Sequence, residues 1–281
     1  MSYNISSDKF QHPLLKPILE QLTDYFSKEG IHFYVIGATA RDIIMQIHDE
    51  KVGRATHDLD IAIAISNWDE FQKVEEGIVN IEGFEKDKTQ KQRFIYLNDF
   101  QLDIVPFGEV MKEDDKIFWP PEKDIAMSVL GFSEVNEETN TVKIDDNIEI
   151  QIASLAGVFI LKTVAWLDRN LKGNKDADDM AFIINNYHNI NEQRAIEEHF
   201  DLYEVDEFDT QIAGSRLLGR DISTLLSESD STKNKITDIL KSEVDKEEES
   251  RLINQVLDTH KNFNYDNIYE CLNNILQGLE D

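Results

Sequence analysis

Residues 58 to 65 read DLDIAIAI, a strict two-residue alternation that an extended strand keeps in phase and a helix does not. In a strand, Asp58 and Asp60 share one face while Leu59, Ile61, Ile63 and Ile65 line the other. A second run, QLDIVPF, sets Asp103 beside Leu102, Ile104 and Val105 at another strand start, where an inward carboxylate is costly without a partner. Three carboxylates on neighbouring strands form a hard-oxygen site suited to Mg²⁺ or Mn²⁺. Two such ions would activate a hydroxyl and stabilise an in-line displacement at phosphorus. The other DxD, Asp176 and Asp178, falls in a helical pattern, where residues two apart point about 200° apart and cannot share an ion.

The flanking pattern supplies the rest of a sheet. Pro13 to Gly30 has one apolar helical face, Ile31 to Ile36 is strand-like, and Ala38 to His48 returns to helical spacing after Gly37. Asn67 caps a helix over Trp68 to Val79, and Phe94 to Leu97 and Gln101 to Phe107 flank the turn Asn98-Asp99. Val110 to Ala153 reads as a connector, with a strand over Ala126 to Phe132 and a hairpin at Asp145-Asp146-Asn147. From Ser154 the pattern is helical, beginning with Leu155 to Leu171 and Asp176 to Tyr187. The expected organisation is an α/β domain over 1–152 with connector strands and a helical domain over 153–281.

Charge bounds the partners. The 281 residues include 56 acidic and 28 basic, a net charge of -28, which disfavours nucleic acid and anionic membranes. Residues 197 to 281 carry 21 of the acids against 8 basic residues, and the run Glu243 to Glu249 reads as a solvated helix face or loop. No apolar run reaches the roughly 18 residues of a membrane span, and MSYNISSDKF has no signal-peptide pattern. A single cysteine, Cys271, excludes an internal disulfide. A soluble, cytoplasmic protein is the expectation.

Strand, Gly37, small-residue helix, then RATHDLD with Asp58 and Asp60, then Asp103 on a later strand, resembles the polymerase-β-type nucleotidyltransferase superfamily. The strings HDLDIAIAISNWDEFQK, KQRFIY, LDIVPFGEV, FWPPEKD, ILKTVAWLDR and KDADDM, spanning about residues 30 to 187, more narrowly resemble the AbiEii-like abortive-infection and type IV toxin–antitoxin group. The resemblance implies an α/β (α+β) nucleotidyltransferase sheet domain followed by an all-helical C-terminal half. It implies metal binding by Asp58 and Asp60, with Asp103 as general base or metal-orienting acid. Gly37, Ala38 and Thr39 match the phosphate-holding turn, Lys162 the lysine that reaches the triphosphate, and Asp176 the acid of the next helix start. The cofactor implied is Mg²⁺ or Mn²⁺, the substrate an NTP, and the acceptor an RNA such as a tRNA 3′ end or a protein hydroxyl, with an antitoxin as a further partner. The net charge keeps open a small-molecule acceptor, as in antibiotic-modifying enzymes, and a catalytically silent nucleotide-binding module.

Other charged residues admit two readings each. Arg41 and Asp42 either pair or orient phosphate, and Arg169 is an ion-pair partner of Asp176 or Asp179 or a ligand contact. Lys162 could also snorkel from a core-facing helix, and Asp179, one turn beyond Asp176, would hold the helix pair together. Lys86, Lys88, Lys91 and Arg93 form a solvated hairpin face or a track for phosphates. His57 points away from the acids, and Trp119-Pro120-Pro121 reads as a rigid loop on the core.

Overall fold

The computed structural model describes residues 2–54, 57–112, 114–123 and 126–281, which fall into two units, Met1–Ser154 and Leu155–Asp281. Thr56 of the RATHDLD string and Asp124 of FWPPEKD lie outside the described residues.

In chain order the first unit comprises β1 (Ser2–Ile5), α1 (Leu15–Glu29), β2 (Phe33–Ile36), α2 (Gly37–Ile47), β3 (Asp58–Ile65), α3 (Trp68–Val79), β4 (Phe84–Lys86), β5 (Arg93–Tyr96), β6 (Phe100–Gly108), β7 (Lys116–Phe118), β8 (Ala126–Ser128), α4 (Phe132–Glu137), β9 (Asn140–Ile144) and β10 (Ile148–Ile152). The alternation at 58–65 folds as expected: Leu59, Ile61 and Ile63 are buried, and Asp58 and Asp60 are half-buried on the other face. Helix α1 buries Ile18, Leu19, Leu22 and Phe26 and stops at Gly30, whose φ of 69° lets its N–H turn back to the Phe26 carbonyl. Asn67 caps α3 by accepting from the Glu70 N–H at 3.0 Å.

Eight strands form one mixed sheet in the order β1-β9-β10-β2-β3-β6-β5-β4, so β3 lies inside it between β2 and β6. This corrects the connector reading of residues 110–153. The hairpin at Asp145-Asp146 is present, with φ of 49° and 61°, but its second strand, β10, pairs parallel with β2 and joins the sheet interior. Strand β1, too short to signal itself, pairs parallel with β9. The strand expected over Ala126 to Phe132 ends at Ser128, because Gly131 at φ 86° turns the chain into α4.

The second unit is helical among the described residues: α5 (Leu155–Arg169), α6 (Lys175–Glu198), α7 (Thr210–Leu225), α8 (Asp230–Val244), α9 (Arg251–Thr259) and α10 (Tyr265–Glu280), with short 3-10 turns. An α/β sheet unit followed by a helical one is the fold class expected. Helices α7 and α10 touch backbone to backbone where Gly219 meets Gly278, and a Cβ at either glycine would lie 2.9 Å from the other's Cα. Glu243 departs from the solvated-run expectation. It is buried, and its carboxylate accepts from Ser250 Oγ at 2.9 Å and the Leu252 N–H at 3.1 Å at the start of α9.

Candidate active site

The site is built where β2 ends. Antiparallel pairing sets Ile36 opposite Asp60, so the first residue of α2 meets the acidic face of β3. That residue is Gly37, at φ 66°, and a Cβ there would sit 2.6 Å from Asp60 Oδ2. Glycine therefore serves the backbone turn and leaves room for the carboxylate. Thr39 Oγ1 donates to the Asp58 carbonyl at 3.0 Å, tying α2 to β3. Ala38 and Thr39 are buried. Arg41 is 1% exposed and pairs with Asp42 through Nε at 2.8 Å, the first of its two readings. A Cβ at Gly53 would run into its guanidinium, and the Gly53 N–H donates to the same Asp42 oxygen at 3.3 Å.

Strands β3 and β6 run parallel with Asp60 in register with Asp103, which sets the two carboxylates side by side on one face. Strand β5 then places Arg93 opposite Asp103 from the other side. Its guanidinium grips that carboxylate with both prongs, Nε to Oδ1 at 2.7 Å and Nη2 to Oδ2 at 2.8 Å. The hydrogen bonds to Asp103 hold the Arg93 pKa above its usual value, and the charges of Asp103, Asp60 and Asp58 add to the effect. Among the described residues no three His, Cys, Asp or Glu side chains converge to hold a metal ion. Asp103 thus stands beside the Asp58 and Asp60 pair with its own carboxylate engaged by arginine. The pair fits a hard divalent cation: two half-buried oxygen donors share one strand face, and Gly37 clears space at Asp60. His57 lies edge-on to His12 with ring centroids 5.0 Å apart.

The other expected residues lie in the helical unit. Lys162 on α5 reaches Asp179 Oδ2 at 2.6 Å and Asp176 Oδ1 at 3.4 Å on α6, while Arg169 clasps Asp176 with two bonds of 2.7 Å. Asp179 is 0% exposed. Burial alone would raise the Asp176 carboxyl, but Arg169 and Lys162 outweigh it and hold its pKa below the usual value. Arg169 is therefore the ion-pair partner of Asp176, and Asp179 joins the two helices. Asp178 points elsewhere, to His260 Nε2 at 3.0 Å, as a helical i, i+2 pair must.

The basic strip is largely paired off: Lys86 with Glu75 at 2.5 Å, Lys91 with Glu122 at 3.1 Å, and Arg93 with Asp103. Trp119 is buried on α3, its ring 5.3 Å from Trp68 and 5.4 Å from Phe71. Arg93 is the site residue that strip reading missed. The signal was present in the hairpin arithmetic, since Arg93 and Asp103 lie equally far from the Asn98 turn, but nothing local marks which cation faces the acid.

Paired strand carboxylates beside a glycine-opened helix, on a sheet unit followed by a helical unit, are the arrangement implied for a nucleotidyltransferase, and the family comparison agrees with that class. The family model "Nucleotidyl transferase AbiEii toxin, Type IV TA system" matches residues 20–269, and the chain belongs to this family of nucleotidyl transferases. Among solved structures it is similar to an antigenic nucleotidyltransferase-like protein from Paracoccidioides brasiliensis, at 16% identity and TM-score 0.41, covering 79% of this chain and 94% of that one. The assignment rests on the family match. No curated protein matches the chain.

Proposed function

We propose that the chain moves a nucleoside monophosphate from an NTP to a hydroxyl acceptor in a divalent-metal-dependent reaction that releases pyrophosphate. The observation that carries this reading is the Asp58 and Asp60 pair on one face of β3, with the Gly37 start of α2 opened against Asp60. The N-terminal amides of α2 supply donors and a positive dipole end for a phosphate. Asp58 and Asp60 would hold the Mg²⁺ or Mn²⁺, which when bound neutralises phosphate charge and aligns the displaced group. Asp103, fixed by Arg93, is assigned to orienting the incoming hydroxyl. Lys162, with Asp176 and Asp179 about its amine, is assigned to the triphosphate. Holding the reactants in line and neutralising charge supplies the catalysis, because the displacement needs no covalent step on the protein.

The family supports an RNA acceptor, such as a tRNA 3′ end, or a protein hydroxyl, within a toxin–antitoxin pair that includes an antitoxin. The net charge of -28 and the paired strip favour a second reading, a small hydroxyl compound as acceptor. No helix among the described residues is long and apolar enough to cross a membrane. Incubation with each α-labelled NTP, Mg²⁺ or Mn²⁺, and total tRNA, small hydroxyl compounds or the protein alone identifies the acceptor. Label should disappear with Asp58→Ala and Asp60→Ala. NTP binding with no labelled acceptor would instead favour a silent nucleotide-binding module.

A further inference from the structure

The Arg93 side chain occupies a position that the metal reading leaves for a cation. It lies across the hairpin from Asp103, takes both carboxylate oxygens in a planar fork, and is close enough to Asp60 and Asp58 for their charges to act on it. Asp103 in turn stands in register beside Asp60, one strand over. A carboxylate gripped on both oxygens keeps one lone pair on each, but the fixed positive charge beside it repels any further cation approaching it. Arginine suits this role because its charge is permanent and its fork matches the carboxylate.

We infer that Arg93 serves as a built-in cation at Asp103, so that the site recruits one divalent ion, held by Asp58 and Asp60, where three open carboxylates would recruit two. This rests on the nucleotidyl-transfer reading, and it makes Arg93 a positioning residue that sets the ion count and keeps Asp103 aimed. In the wild type the negative charge of three aspartates is offset by one arginine and one divalent ion.

The test is Mn²⁺ titration of the full chain, followed by the loss of free-ion electron paramagnetic resonance signal, for wild type, Asp60→Asn, Asp103→Asn, Arg93→Gln, Arg93→Lys and the double variant Arg93→Gln with Asp103→Asn. Wild type should bind one Mn²⁺ per chain, Asp60→Asn should lose it, and Asp103→Asn should keep it about tenfold more weakly, because the Arg93 charge is then uncompensated. Arg93→Gln should bind a second ion, or the first about tenfold more tightly as a nearby positive charge is removed. The double variant, which leaves no uncompensated carboxylate and so guards against misfolding of the single one, should return to one ion of wild-type affinity. Arg93→Lys should keep one ion, because the charge stays. Two ions in wild type, or a loss on Asp103→Asn as large as on Asp60→Asn, would overturn the inference. One ion at Asp58 and Asp60 with Arg93→Gln indistinguishable from wild type overturns the role of Arg93 alone. Absence of any wild-type binding contradicts the metal reading and the inference with it.

Discussion

Gly37 meets two demands with one missing methyl group: a backbone at φ 66° and a carboxylate oxygen where its Cβ would be. Gly37→Ala is expected to cost about 1 to 3 kcal/mol of stability through strain. By displacing Asp60 it should also lower nucleotidyl transfer more than tenfold; unchanged transfer would separate the glycine from the site. At Asp176 the sign of the pH effect follows from its lowered pKa. A carboxylate titrating below its unfolded value stabilises the fold above the ordinary carboxylate range and loses that contribution as pH falls through the folded value. Arg169 supplies much of that lowering, so Arg169→Gln should melt below wild type at neutral pH, with the gap closing on acidification as wild type loses a contribution the variant lacks. Superimposable melting-temperature profiles would contradict the assignment. The acids of the site were readable as residues because strand phase aims Asp58 and Asp60 together. The committed partners of Asp103, Arg41 and Thr39 were not, because each contact depends on which strand or turn lies next to it.

Among the elements, those with a long local pattern emerged from sequence nearly as they fold: α1, β3 and α3 each carry their own periodicity and stop signal. Strands β1, β9 and β10 did not reveal their place, since β10 finds β2 more than a hundred residues away and only the folded sheet pairs them. The helical crossing of α7 on α10 was equally hidden, because a glycine inside a helix reads as a weak point until a facing glycine explains it. Gly278→Ala is expected to destabilise the protein by about 1 to 3 kcal/mol through overpacking, measured by denaturant unfolding. A loss below the ordinary scatter of surface substitutions would mean that the helices can part at no cost. Glu243 carries the same lesson at an element boundary. A carboxylate in an acidic run is buried because it terminates α8 and opens α9, and Glu243→Ala should be among the more destabilising of the acidic-run substitutions.

At the scale of the whole chain, the net charge of -28 separates into roles. Asp58 and Asp60 share one face of β3, Asp103 has its arginine, and acids such as Asp201 and Asp281 are paired with Arg220. The acidic remainder bears on the acceptor. If that acceptor is RNA, labelling should fall as salt rises, with a slope set by the number of phosphates contacted, whereas a small hydroxyl compound should show a shallow dependence. The claim on which the rest depends is transfer through the strand-borne pair. Wild type, Asp58→Asn and Asp60→Asn, each shown to be folded by its melting curve, are incubated with α-labelled NTP, Mg²⁺ and the acceptor that wild type labels. The expected result is acceptor label and pyrophosphate from wild type and neither from the two variants; label transfer that persists in both would contradict the assignment.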